Sequence, residues 1–287
     1  MPESRYVRPD EALLTELAAQ ALRQAGISSE PANWEWVETG SSNVVILTDA
    51  AAVRLSRDSQ AGVETVRAQR VVDALGPLPF GVPRSLGPWV EADGIVGIAT
   101  QRLLGQSLPP GPADPAQLAL LVNTIRSVEL EPLRNDLAQT RAFAGGAGWY
   151  AIMTEGAIPL LPKPLQAAGQ EVADALRELE SGPVSLSHGD LAGSNILWEH
   201  GRVSGVLDWD LASAGDVAED LASLGGWHGW DSLKCFATPE EMRRAEIFQA
   251  SFPLQVLGFN LLHGRTGDEL ERAVARAGSR LRERAAR

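Results

Sequence analysis

Cysteine is nearly missing. Cys235 stands alone among 287 residues, which excludes an intramolecular disulfide and any paired-cysteine zinc or redox centre. Lysine is almost as scarce, with Lys163 and Lys234 against 23 arginines. A P-loop needs a lysine after its glycines, and no G-x-x-x-x-G-K-[ST] run occurs, so that route to a nucleotide is closed. No apolar run reaches about 18 residues, so no transmembrane helix is expected. The opening MPESRYVRPDEALL lacks the basic and apolar stretches of a secretory signal, and a reducing cytoplasm is the expected compartment. Positive charge is also short. With 25 basic against 37 acidic side chains the formal charge is −12, whereas a phosphate backbone rewards clustered Lys and Arg. Neither nucleic acid nor membrane is an expected partner.

Other signatures are missing too. His188, His200, His228 and His263 lack H-E-x-x-H spacing, and no G-x-S-x-G exists. Gly146-Ala147-Gly148-Trp149-Tyr150-Ala151 matches G-x-G-x-x-A, but no strand precedes it, so a dinucleotide site is not expected. There is no internal repeat. Hydrophobic residues make up 44% and charged residues 22%, so a folded chain of one large or two smaller domains is expected.

What is present changes character along the chain. Residues 9–25 repeat apolar side chains at helical spacing until Gly26. NWEWVE, NVVILT and AAVRLS then read as antiparallel strands, and a helix follows at 60–75. Two further strands are expected near Trp89–Glu91 and Ile95–Thr100, turning at 92–94. The Pro- and Gly-rich stretch 103–117 marks the candidate boundary, giving lobes 1–104 and 105–287. Beyond it helices are expected at 115–128, 164–180, 217–224, 239–263 and 267–285. One β-like island, 184–207, is read as embedded among them. The fold class is α+β.

The chemistry gathers in that island. His188-Gly189-Asp190-Leu191-Ala192-Gly193-Ser194-Asn195 sets Asp190 and Asn195 at D-x-x-x-x-N spacing, and Asp208 ends the next apolar strand. That is the spacing of a kinase catalytic loop followed by its metal-binding Asp. Phosphoryl transfer asks for positioning and charge neutralisation, with a carboxylate to take the hydroxyl proton, the role expected of Asp190. Mg²⁺ prefers hard oxygen donors, which Asn195 and Asp208 supply.

HGDLAGSNILW followed by GVLDWDLASAGDVAEDLASL resembles the aminoglycoside phosphotransferase and choline kinase-like family, which includes macrolide phosphotransferases. The resemblance spans roughly residues 33–263. It implies a two-lobed, protein-kinase-like fold with an N-lobe sheet and a helical C-lobe. It also implies transfer of the γ-phosphoryl of ATP or GTP to a hydroxyl on a small molecule, by a monomer or weak dimer. VETGSSNVVILT is similar to the nucleotide-covering hairpin, so Thr39, Gly40, Ser41, Ser42 and Asn43 are expected at the phosphates. AAVRLSR is similar to the strand bearing the phosphate-contacting cation, here Arg54, with Arg57 in reserve. IATQRLLGQSL resembles the hinge, so Gln101, Arg102 and Leu103 are expected at the base.

Other residues have two readings. His188 is expected to orient the loop through its ring nitrogens. Asp210 either supports the site, facing substrate, or is solvated. Asp216 and Asp220 read as scaffold, Asp216 opening a D-x-x-E capping-box-like helix start with Glu219. Glu64 is the nearest carboxylate to pair with the N-lobe cation; otherwise the cation is held some other way. Trp227 and Trp230 are either core or, with Asp231, an acceptor-pocket wall. Residues 106–287 carry 24 acids and 16 bases, which suits an aminoglycoside; a macrolide or a metabolic alcohol or sugar remains open. From other classes, an inactive nucleotide-binding homologue and a metal hydrolase stay as alternatives.

Overall fold

The computed structural model describes residues 8–179 and 182–285, so the first seven residues of the opening read for a targeting signal lie outside the described residues. Among the described residues no helix is long and apolar enough to cross a membrane. The chain divides into two compact units.

The first unit runs to Ser107 and takes in Ile196–Asp210. Its helix Glu11–Gln24 starts where the Asp10 carboxylate accepts the Ala12 and Leu13 N–H groups, at 2.9 and 3.1 Å. Such caps satisfy donors that the first turn leaves over. The buried stripe Leu14, Leu17, Ala21 and Leu22 packs on Val44, Ile46, Val53 and Leu55 of an antiparallel sheet. That sheet comprises β1 (Glu35–Val37), β2 (Asn43–Leu47), β3 (Ala51–Ser56), β4 (Val90–Ala92) and β5 (Ile95–Gln101), in the order β1-β2-β3-β5-β4. Helix Ser59–Ala74 follows β3, capped by Asp58. A second sheet joins β6 (Gln106–Ser107), β8 (Ile196–Glu199) and β9 (Arg202–Val206).

The second unit holds Leu108–Asn195 and Leu211 onward. Its long helices are Pro115–Arg126, Lys163–Glu178, Val217–His228, Pro239–Leu262 and Gly267–Ala285. Strands β7 (Val184–Ser187) and β10 (Ser213–Asp216) pair antiparallel, Ser187 opposite Ser213 and Val184 opposite Asp216. The β-island is therefore not embedded whole among the helices. Its first strand pairs with β10 in the helical unit, and its hairpin pairs with β6 in the sheet-rich unit. Between the first two long helices the chain makes 3₁₀ turns at Glu131–Leu133, Ala142–Ala144 and Gly146–Gly148, then a π-helical stretch, Ile152–Ala157.

Candidate active site

In the helical unit, β7 delivers the 188–195 loop and one buried carboxylate shapes it. Asp220 accepts the backbone N–H of His188 and of Gly189, each at 2.9 Å. Burial pushes Asp220 upward from the usual carboxylate range, and these contacts pull it back. Gly189 sits at φ +80°, and a Cβ there would stand 2.5 Å from the Leu211 carbonyl oxygen; only glycine fits the turn. The Asp190 N–H then donates to His188 Nδ1 at 3.3 Å. His188 is fully buried.

Asn195 closes the loop from its other end. Its Nδ2 donates to the Asp190 carbonyl oxygen at 2.9 Å and to Asp190 Oδ2 at 3.0 Å. The amide nitrogen is thus committed to Asp190, and Oδ1 is the donor the side chain has to offer a hard cation. Burial raises the Asp190 carboxyl above its ordinary value, and the Asn195 hydrogen bond opposes that rise. A carboxylate with raised basicity takes a hydroxyl proton more readily.

The sheet-rich unit carries the other candidates. Asp208 is exposed at φ 60°, a left-handed conformation that Asp tolerates better than most residues. Buried Trp209 anchors the segment by donating Nε1–H to the Val206 carbonyl at 3.1 Å. Arg54 projects from β3, and its Nη2 lies 2.8 Å from both Asp210 oxygens. Burial opposes the Arg54 charge, but Asp210 and Asp208 outweigh it and hold the guanidinium above its usual range. Asp210 therefore has a definite place, as the partner of the cation.

Glu64 does not pair with Arg54. Its carboxylate meets Arg67 Nε at 2.7 Å, and Arg67 Nη2 donates to the Asp210 carbonyl at 2.6 Å. The reason is register: Glu64 and Arg67 stand three apart on one helix, within reach of each other. Arg57 is buried, with Nε on the Gly40 carbonyl at 3.0 Å and Nη2 on that of Glu38 at 2.7 Å. It braces the 38–40 loop from beneath. Thr39, Gly40 and Ser41 are exposed and Ser42 half-buried, but Asn43 turns inward, its Oδ1 accepting from Thr65 Oγ1 at 2.9 Å. In the segment expected at the base, Gln101 is exposed and its N–H donates to the Arg84 carbonyl at 2.8 Å. Arg102 Nη1 donates to the Thr48 carbonyl at 2.6 Å, and Leu103 packs on Gly81 and Gly205.

A cavity of about 330 Å³ opens in the helical unit beside Asp190, walled by Phe143, Leu211, Ala222, Trp227, Phe252 and Val256. Trp227 is held by its Nε1–H on the Leu108 carbonyl at 2.9 Å. Trp230 and Asp231 do not line this cavity. Helix 217–228 stops at Gly229 (φ 84°), and Trp230 turns back onto Gly225. Asp231 is exposed and paired with Lys234 at 2.6 Å.

Two polar residues of the cavity, Arg141 and Glu219, carry no sequence signal as site residues. Glu219 was expected in a capping box, but Asp216 alone caps the helix, accepting from the Ala218 N–H at 2.9 Å. Asp216 is also locked to Arg244 by bonds of 2.9 and 3.2 Å. Glu219 is buried instead; burial first, then Asp220, pushes its carboxyl up to about 7, with Arg141 pulling it down. Among the described residues no group of three His, Cys, Asp or Glu side chains is placed to hold a metal ion.

The comparisons with known proteins agree with one another. Over 141 residues the chain is 36% identical to viomycin phosphotransferase of Streptomyces vinaceus, a match covering 46% of this chain and 45% of that protein. It thus spans less than half the length of that relative. Among solved structures, the GDP complex of wild-type aminoglycoside 2′-phosphotransferase-IIIa is similar at a TM-score of 0.74 and 17% identity, covering 96% of this chain and 99% of that one. A macrolide 2′-phosphotransferase from Brachybacterium faecium, as apoenzyme, is similar at 0.67 and 19%, covering 93% and 97%. Such likeness shows the fold, a two-lobed protein-kinase-like one. The loop of Asp190 and Asn195, the strand of Arg54 and the Asp208–Asp210 segment all fall within residues 34–253, which match the phosphotransferase enzyme family; the chain belongs to that family.

Proposed function

We propose that this protein transfers the γ-phosphoryl group of ATP or GTP to a hydroxyl of an antibiotic-like small molecule. The observation that carries the reading is the Asp190–Asn195 pair at the edge of an apolar cavity. Asp190 takes the proton of the attacking hydroxyl, and Asn195 fixes the carboxylate so that one oxygen faces the acceptor. Arg54 and the 39–43 loop hold phosphate oxygens, a task suited to a permanently charged guanidinium and to exposed backbone N–H groups. Residues 101–103 hold the base. In this reading residues 1–104 bind the nucleotide, and 105–287 carry the catalytic residues and bind the acceptor.

Asn195 Oδ1 and the Asp208 carboxylate are the hard oxygens that would hold Mg²⁺, consistent with an ion carried in with nucleotide phosphates and keeping its waters. When bound, the ion neutralises charge developing on those phosphates.

The acceptor cavity supports an apolar-bodied acceptor better than a polycation. The acidic excess of residues 106–287 is largely elsewhere: of the carboxylates, Asp190 and Glu219 line the cavity, faced by Arg141. Apolar walls with a few polar groups are typical of drug-sized sites. The test is ADP and GDP release with Mg²⁺ across aminoglycosides, macrolides, viomycin-type peptides and amino-alcohols, with product mass measured. Acceptor-dependent release with a phosphorylated product is expected. Nucleotide binding without any product would mark an inactive homologue, and free phosphate without phosphorylated acceptor would mark a hydrolase.

A further inference from the structure

Two charged side chains of the cavity are left without hydrogen-bond partners, and the reaction proposed above does not use them. Arg141 lines the cavity, and among the described residues none of its guanidinium donors meets an acceptor; its Nε is sealed from solvent with no partner. A buried polar group left unpaired is costly, so a native one asks for an explanation. The placement is built, not incidental. Arg141 has φ 58°, in the left-handed region, and its carbonyl accepts the Ala144 and Gly146 N–H groups at 3.0 and 2.9 Å. Its guanidinium stands 5.0 Å from the Trp149 ring centroid and 5.7 Å from that of Phe248. Strained backbone of this kind gathers where a ligand is held.

Glu219 is the counterpart. It lines the same cavity at 9% exposure, and its carboxylate has no hydrogen bond or ion pair among the described residues. Its charged neighbours are Asp220, Arg141, Asp216 and Asp190. One wall therefore offers N–H donors that lack an acceptor, and another a carboxylate that lacks a donor. Apart from Asp190, the rest of the lining is apolar or, at Ser213, Ser223 and Gln255, neutral, which disfavours a ligand bringing several charges of its own. A neutral group carrying a C=O and an N–H side by side satisfies both.

Resting on the phosphotransferase reading, we propose that Arg141 and Glu219 select an acceptor whose hydroxyl lies close to an amide. Arg141 donates to the amide carbonyl and Glu219 accepts the amide N–H, turning the hydroxyl toward Asp190. The pair acts on acceptor orientation and takes no part in proton transfer.

Three neutral alcohols of equal chain length test it: 1-pentanol, with neither group, 5-hydroxypentan-2-one, with the carbonyl alone, and N-acetylethanolamine, with both. Phosphorylated product is measured with Mg·ATP, and each variant is first shown folded by its thermal shift with nucleotide. A hydrogen bond to a charged partner is worth roughly tenfold or more in affinity. The wild-type chain is therefore expected to prefer the ketone to pentanol, and the amide to the ketone, by about tenfold each in kcat/KM. Arg141→Met, which has no N–H to donate, should erase the first preference and Arg141→Lys keep part of it; Glu219→Leu, which has no oxygen to accept, should erase the second, with the change in KM. Unchanged preferences in these variants overturn the inference. Transfer to antibiotics of the wider panel but to none of the three alcohols also overturns it, and leaves the phosphotransferase reading standing. No transfer to any acceptor by a chain that binds nucleotide overturns that reading as well.

Discussion

Two arginines of the helical unit, Arg244 buried and Arg141 half-buried, behave in opposite ways. Arg244 is bonded to Asp216 by two nitrogens, and both side chains are under 10% exposed. Asp216 in turn caps helix 217–228, so the pair ties that helix to helix 239–262. Arg141 and Glu219 have no such closure. Burial penalises each of them, lowering the Arg141 pKa and raising that of Glu219. Charges that complete each other inside the fold are scaffold. Charges left incomplete on the wall of a cavity wait for a ligand.

The same substitution at the two arginines sharpens that contrast. Arg244→Met strands Asp216 without its partner and should cost about 3–5 kcal/mol in urea unfolding, the usual penalty of breaking a buried pair. Arg141→Met loses no hydrogen bond, only the contacts of its guanidinium with the Trp149 and Phe248 rings and its attraction for Glu219, so it should cost far less, about 1 kcal/mol. Equal losses at both positions would break the comparison.

Glu219 gives a second test, with a sign that depends on pH. Its folded-state pKa of about 7 lies above the ordinary 4.5, so the folded chain binds this proton more tightly than the unfolded one. Its contribution to stability is complete below about 4.5 and is lost as pH rises through 7. Glu219→Gln should therefore stabilise the chain by up to about 3 kcal/mol at pH 8, with the gain shrinking toward pH 4.5. Unfolding curves at several pH values check it; a pH-independent difference would contradict the assignment. The smallest effect belongs to a cap far from the cavity. Asp10→Ala should cost about 1 kcal/mol at every pH above the carboxylate range, and leave acceptor preference unchanged.

The regular elements were legible because their signals are local. The helix expected at 115–128 is found at Pro115–Arg126, and that at 267–285 at Gly267–Ala285. The loop of Asp190 and Asn195 was legible for the same reason, since its residues are five apart. The failures are of pairing across distance. Strand β10 reads SAGD, with no β-branched residue, and exists because β7 supplies its partner. Glu64 and Arg54 are adjacent in pattern, but Asp210, remote in sequence, reaches the arginine. Glu219 hid behind a D-x-x-E motif whose capping reading was locally sound. Arg141 lies among 3₁₀ turns with no periodicity to mark it.

In the reaction proposed above, Asp190 is the base of a phosphoryl transfer. The direct measurement is phosphorylated acceptor formed by wild-type and Asp190→Ala chains, with nucleotide affinity measured on both. Turnover should fall roughly 10²–10⁴-fold with nucleotide binding nearly intact. Wild-type turnover in the variant would contradict it.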